Sequence, residues 1–253
     1  MLRSLAGGGL FGEIWGTGPP VVLVLHGWRR THADFAAVVG PAAPLGPLPS
    51  WAPDLPGFGA TPAPPDAWGS VEYAAALVPL LEDAGGSERP VVVLGHSLGG
   101  RVAVSLAAAR PDLVGALVLT GAPIGPRAPG RRPPARFRAA RALHRVGLVS
   151  PARMDAARRR HGSDDYRAAD GVMRAVLVRM VNERYEDALA ALRCPLELVW
   201  GDDDTEAPVD GARAVAAQVA GATLTLCPGA GHLTPLTAPD QLRAAVDRAL
   251  ARV

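Results

Sequence analysis

The sequence predicts an α/β fold built on a mostly parallel sheet, and three observations carry that expectation. Short β-branched runs alternate with helical segments along most of the 253 residues, the order that βαβ crossovers impose on a parallel sheet. The strongest runs are apolar throughout instead of alternating, as strands covered on both faces must be. The alternation then breaks once, from about residue 123 to residue 193, where no strand candidate occurs. The expected organisation is therefore a core of residues 1–122 and 194–253 carrying a helical insertion at 123–193.

Taken in order, Val21-Val22-Leu23-Val24-Leu25 is the first buried strand. Ser50 to Leu55 is a weaker one, ended by the turn signal Pro56-Gly57. Val71 to Ala84 reads as a helix closed by Gly85-Gly86. Val91 to Leu94 is the next buried strand. It runs into Gly95-His96-Ser97-Leu98-Gly99-Gly100, and a helix is expected from about Arg101 to Ala109, with Pro111 just beyond. Leu113 to Thr120, Leu196 to Trp200 and Ala222 to Leu226 are the remaining strands, and the last two lead to helices at about Asp210–Val219 and Asp240–Arg252. Inside the insertion, Ser150-Pro151 has the form of an N-cap followed by proline at the first helical position, and Gly162 stands where a helix would stop. Val172, Met173, Val176, Leu177, Met180 and Val181 recur at helical spacing. Such a face suits packing on the core and lining a pocket from above.

Composition narrows the function classes. Hydrophobic residues make up 49% and charged residues 20%, the balance of a globular domain able to bury a core without staples. Two cysteines, Cys194 and Cys227, give no disulfide framework and read as buried thiols. The first residues lack the apolar core and cleavage site of a secretory signal, and Val21–Leu25 is too short to span a bilayer, so the expected location is cytoplasmic, with no integral membrane segment. All 26 basic residues are Arg, and 11 of them lie between Arg127 and Arg160 against one acid, Asp155. That run can be a solvated basic face, a recognition surface for a carboxylate or phosphate on a substrate or carrier, or a contact for nucleic acid or anionic lipid. No nucleic-acid-binding motif accompanies it.

Gly95-His96-Ser97-Leu98-Gly99 has the G-x-S-x-G form of a nucleophile elbow, between a buried strand and a helix. The chain must turn sharply there and hold the serine in a strained backbone, with glycines where side chains would collide. Ser97 is thus the candidate nucleophile. A hydroxyl needs a base, and six histidines are present. His26 and His96 flank the expected site and suit packing or loop hydrogen bonds; His32, His144 and His161 lie in polar segments and are expected to be exposed. His232 follows the last strand in Pro228-Gly229-Ala230-Gly231-His232, a loop flexible enough to fold over the sheet edge, and is the candidate base. The orienting acid should follow the strand at Leu196–Trp200, where Asp202, Asp203 and Asp204 are adjacent and chemically equivalent. No neighbouring ligands accompany them at metal-site spacing, so no metal and no cofactor is expected.

Taken together, these motifs resemble the α/β-hydrolase superfamily along essentially the whole chain. His26-Gly27-Trp28 resembles its HG-x loop, Asp54-Leu55-Pro56-Gly57-Phe58-Gly59 its D-x-P-G-x-G turn, Gly95–Gly100 its GHSxGG elbow, and Gly231-His232 its terminal GH. Gly201 to Pro208 is similar to its G-x-x-D-x-x-x-P acid loop, and this resemblance places the acid at Asp204. It also implies an oxyanion hole at the backbone N–H groups of Trp28 and Leu98, and a cap role for residues 123–193. Thr61 and Thr237 depart from the residues common in the family; neither position performs chemistry. The resemblance implies a serine hydrolase acting on a small ester, thioester or related acyl substrate, with an anionic group as one candidate feature. Alternatives on the same triad are C–C bond hydrolysis, a lyase step or peracid formation, and a non-catalytic binding protein of the same fold is a further one. Serine at the elbow argues against epoxide hydrolases and haloalkane dehalogenases, which need Asp there.

Overall fold

A computed structural model describes residues 1–83, 90–126 and 164–253, together with positions 139, 142–144, 146–150, 153 and 154. Its centre is an eight-stranded sheet in the order β1-β2-β4-β3-β5-β6-β7-β8. The strands are β1 (Arg3–Leu5), β2 (Leu10–Trp15), β3 (Val22–Leu25), β4 (Ser50–Asp54), β5 (Val91–His96), β6 (Val114–Thr120), β7 (Leu196–Gly201) and β8 (Thr223–Cys227). β1 and β2 run antiparallel to their neighbours, and every pair from β4 through β8 is parallel.

The apolar runs separate cleanly by parity. Leu23, Leu25, Val93, Leu117, Leu119, Leu198 and Trp200 face one layer, shared with α1 (Ser70–Glu82), α2 (Leu98–Ala109) and α6 (Val209–Gln218). Val22, Val24, Val92, Leu94, Val118 and Val199 face the other, where Phe35, Val38 and Val39 pack beside α8 (Pro239–Leu250). Successive residues point to opposite sides of a strand, so burial on both faces requires the unbroken Val/Leu runs the sequence shows. α8 buries Leu242, Ala245, Val246 and Ala249, a stripe at helical spacing, and turns its charges outward.

Between β6 and β7 the described elements are three helices, α3 (Asp164–Ala168), α4 (Gly171–Met180) and α5 (Glu186–Ala190). α4 buries Val176, Leu177 and Met180, three of the six apolar positions expected on that face, and Val181 is exposed. Val176 and Met180 join the main core, while Leu177 packs with Tyr166 and Ala169. At residue 150 the Ser150 Oγ accepts a hydrogen bond from the Arg153 amide at 3.4 Å, as an N-cap would. Pro151, Gly162, Gly85 and Gly86 lie outside the described residues, as do all of the clustered arginines except Arg153.

Two strands escaped the sequence reading. β1 and β2 are short, and β2 carries Gly12 and Glu13 at positions where strand propensity is poor. The glycine is required: a Cβ at residue 12 would lie 2.3 Å from the Ala52 carbonyl oxygen on β4. The short helix α7 (Thr234–Thr237) was also not expected, nor was the start of α2 at Leu98, directly behind the elbow serine.

Candidate active site

The parallel strands end along one rim, and the loops leaving them carry every candidate residue. Ser97 sits between β5 and α2 with φ 51° and ψ −109°, a conformation that costs a non-glycine residue on the order of 1–3 kcal/mol and persists only when its surroundings enforce it. The enforcement is visible. The Ser97 amide donates to the Thr120 carbonyl at 3.0 Å, and the Gly99 amide donates to the His26 carbonyl at 3.0 Å. A Cβ at Gly99 would stand 2.0 Å from the Leu25 carbonyl oxygen, and one at Gly95 2.7 Å from the Gly100 Cα. The elbow glycines are thus set by backbone closeness across the turn.

His232 and Asp204 meet across the ends of β7 and β8. The His232 Nδ1 donates to the Asp204 Oδ2 at 2.9 Å. The other oxygen of Asp204, Oδ1, accepts the Glu206 and Ala207 amides at 2.9 and 2.8 Å. Burial opposes the charge on Asp204, yet the His232 bond and these two amides outweigh it and hold the carboxyl below the usual carboxylate range. For His232 burial likewise opposes protonation, but the bond to Asp204 and the charges of Asp204, Glu206 and Asp165 prevail, so its pKa is raised. Of the other two aspartates, Asp202 turns its Oδ1 back to the Gly229 amide at 2.7 Å, and Asp203 is exposed.

Two further histidines brace this arrangement. His96 is buried and donates from Nε2 to the His232 carbonyl at 2.9 Å, tying the backbone of His232 to β5. His26 is fully buried, donates from Nδ1 to the Gly27 carbonyl and accepts the Leu55 amide at Nε2. Burial pushes both rings down to about 4, so they serve as neutral hydrogen-bonding struts. A Cβ at Gly121 would come within 3.1 Å of the His232 ring, which leaves glycine as the residue that lets the imidazole lie against the end of β6. Next to it, the buried hydroxyls of Thr120 and Thr234 are in hydrogen-bond contact and pin α7 to β6.

His32 differs from the expectation of an exposed side chain. It is half-buried, and both its amide and its Nδ1 bond Asp54 Oδ1, at 3.1 and 2.7 Å. Asp54 also accepts the Ala60 amide, and its backbone carbonyl accepts the Thr61 hydroxyl at 2.6 Å. The D-x-P-G-x-G segment is therefore a hydrogen-bonded clamp, and Thr61 supplies the hydroxyl. His144 is half-buried as well, bonded to the Val149 carbonyl, and His161 lies outside the described residues. Cys227 is buried and Cys194 only half-buried; neither forms a disulfide.

Ser97, Leu98, Trp28 and His232 line one cavity of about 140 Å³. Leu177, Met180 and Val181 cover it from the segment between β6 and β7, and Asp165 and Glu206 complete its charged wall together with Arg101. The backbone N–H groups of Trp28 and Leu98 have no hydrogen-bond acceptor among the described residues. No hydrogen bond joins Ser97 Oγ to His232 Nε2; the charged neighbour of that nitrogen is Glu206 Oε2 at 3.6 Å. Such contacts are often long in substrate-free enzymes and tighten when substrate binds. Among the described residues no group of three His, Cys, Asp or Glu side chains gathers as a metal site would.

A family model described as the alpha/beta hydrolase family matches residues 21–245. The chain belongs to the α/β-hydrolase family. Among the relatives of this α/β hydrolase is a pimeloyl-[acyl-carrier protein] methyl ester esterase from Aromatoleum aromaticum, 30% identical over 256 residues, covering 87% of this chain and 94% of that protein. "Lipase LipV" from Mycobacterium tuberculosis is 45% identical over 104 residues, 41% of this chain. The chain spans only 37% of that lipase's length in the match, and 39% of a pimeloyl-[acyl-carrier protein] methyl ester esterase from Chromobacterium violaceum. An esterase from Thermogutta terrifontis shares the fold, with a TM-score of 0.70 at 23% identity over 99% of this chain and 97% of that one. No helix of the described residues is long and apolar enough to cross a membrane.

Proposed function

We propose that this α/β hydrolase cleaves a small-molecule ester, thioester or related acyl compound, with Ser97 as nucleophile, His232 as base and Asp204 as the acid that orients it. The observation that carries the reading is the 2.9 Å bond from His232 Nδ1 to Asp204 Oδ2 on the wall of the cavity that also holds Ser97. The bond fixes the tautomer in which Nε2 is free to accept a proton. Ser97 Oγ then bonds to the carbonyl carbon as its proton passes to Nε2. The Trp28 and Leu98 amides receive the developing oxyanion, one such donor being worth about 3 kcal/mol of barrier. His232 returns the proton to the departing alkoxide or thiolate, leaving an acyl group on Ser97. Water attacks that acyl group, His232 takes its proton, and collapse releases the acid and restores the serine. In this reading residues 123–193 act as a cap: α3 and α4 contribute Asp165, Leu177 and Met180 to the wall facing Ser97.

The test is a panel of neutral p-nitrophenyl and methyl esters of increasing acyl length, run on the wild-type protein and on Ser97→Ala. Saturable hydrolysis that the substitution abolishes supports the reading. Activity that survives it intact removes Ser97 from the mechanism. Activity on a β-diketone with none on any ester moves the chemistry to C–C cleavage on the same residues.

A carrier-linked ester is the second reading. It is favoured by the near-full-length match to an acyl-carrier-protein ester esterase and by the 11 arginines between Arg127 and Arg160. A strongly acidic carrier would be drawn to that charge, and the attraction would weaken as salt screens it. Under this reading kcat/KM for a carrier-bound ester falls steeply between 50 and 300 mM salt (roughly tenfold or more, by the same screening), while that for a free methyl ester stays level.

A further inference from the structure

The sequence leaves the cleft's charge open, and the basic run suggests an anionic substrate group. Among the described residues the cleft carries a net negative charge. Glu206 follows Asp204 by two residues, and its side chain is 68% exposed beside the base, with Oε2 3.6 Å from His232 Nε2. Among the described residues the basic group paired with this carboxylate is His232, which is charged only when protonated. Two described arginines lie near this wall and oppose that charge only in part. Arg101, on the cleft wall, donates from Nη1 to the neutral Met180 carbonyl at 2.6 Å and keeps its positive charge, while Arg29, in the neighbouring cavity, pairs with Asp165 at 3.7 Å. Asp165 approaches from α3, and Asp204 lies behind the imidazole. Among the described residues the carboxylates of Asp165, Asp204 and Glu206 therefore outnumber the guanidinium groups of Arg29 and Arg101, and the charge at His232 Nε2 is that of Glu206.

We infer that Glu206 is a specificity-determining residue, whose carboxylate selects esters with a neutral or cationic acyl part and disfavours those bearing a negative charge within a few atoms of the scissile carbonyl. The inference rests on the hydrolase reading above and names the substrate class of that same site. Its physics is direct. The leaving oxygen and the attacking water must both approach His232 Nε2, and Glu206 stands at that nitrogen. An acyl carboxylate held near Ser97 meets a like charge over several ångströms in a half-enclosed cleft, where the repulsion exceeds its value in open water. The same field favours departure of the product, since hydrolysis turns a neutral ester into a carboxylate at that spot.

The experiment compares two esters with one leaving group and one chain length, p-nitrophenyl valerate and the mono-p-nitrophenyl ester of glutaric acid, on wild type, Glu206→Gln and Glu206→Asp at low and high salt. The quantity read is the ratio of kcat/KM for the neutral ester to that for the anionic one. It should be large in the wild type and fall about five- to tenfold in Glu206→Gln. It should be kept in Glu206→Asp and shrink in the wild type as salt rises. A ratio that is the same in wild type and Glu206→Gln, with the neutral ester hydrolysed in a Ser97-dependent way, overturns the inference and leaves the hydrolase reading standing. Failure to hydrolyse either ester overturns both.

Discussion

The elbow at residues 95–100 and the acid loop at residues 201–208 deliver side chains to the same rim, yet the sequence specifies them differently. In the elbow, backbone lies against backbone. A Cβ at Gly99 would enter the Leu25 carbonyl, and no neighbouring side chain can rearrange to relieve that. The requirement is therefore written as glycine, and it can be read. In the acid loop three aspartates in a row satisfy any pattern equally, and only direction separates them. Asp204 reaches His232, Asp202 turns back to the Gly229 amide, and Asp203 faces solvent. Residue identity reveals a site where close backbone approach dictates it; where the choice lies in which way a side chain points, coordinates are needed.

That contrast can be broken by substitution. The largest expected effect is at the elbow: Ser97→Ala should lower kcat by about 10⁴-fold or more while leaving the circular dichroism spectrum and thermal midpoint near wild type. Next comes the acid loop. Asp204→Asn should cost about 10³- to 10⁴-fold in kcat, because the amide no longer enforces the productive tautomer. Asp202→Asn and Asp203→Asn should stay within about threefold. Steady-state kinetics of the three variants decides the matter, and a reversed ranking would assign the acid to another position. Gly99→Ala tests the backbone half of the comparison. It should lower unfolding free energy by about 2–4 kcal/mol in denaturant titrations and reduce activity with it, since something must shift to admit the methyl group.

The smallest effect concerns pH. His232 is neutral, and so able to act as base, only above its pKa, which its carboxylate neighbours raise. The acid limb of kcat/KM should therefore fall at a pH above the ordinary histidine value of about 6.5. The groups facing the ring are Asp204 and Glu206 on the acid loop, Asp165 on α3, His96 on β5 and Arg101 on α2. Removing a negative charge should move the limb to lower pH, by less for Asp165→Asn, whose charge Arg29 already offsets, than for Glu206→Gln. A limb that moves upward in either variant contradicts the electrostatic account.

Much of the sheet was legible for the reason the elbow was. Val22–Leu25, Val91–Leu94 and Leu113–Thr120 are covered on both faces, so burial wrote them as uninterrupted apolar runs. β1 and β2 form the antiparallel edge, where Ile14 and Glu13 are exposed or half-exposed, and a glycine sits mid-strand to let β4 approach. Mixed polarity hides such strands. His32 misled because its neighbours in sequence are polar, while its partner, Asp54, is 22 residues away. Glu206 and Asp165 escaped attention for a related reason. Each is an ordinary surface acid in sequence, and only the convergence of α3 with the loop after β7 brings both to the wall beside Ser97. A local signal for Glu206 exists, two residues past Asp204, but nothing in the pattern says that its side chain turns toward His232.

The proposed chemistry depends on a serine hydroxyl made nucleophilic by a distant imidazole, and an active-site-directed fluorophosphonate measures that activation without knowledge of the substrate. Intact-mass and peptide mass spectrometry should find a single adduct on Ser97. The rate of labelling should fall at least about a hundredfold in His232→Ala and decline below neutral pH as the imidazole protonates. A folded protein that takes no label, or takes it on a different serine, would contradict the account.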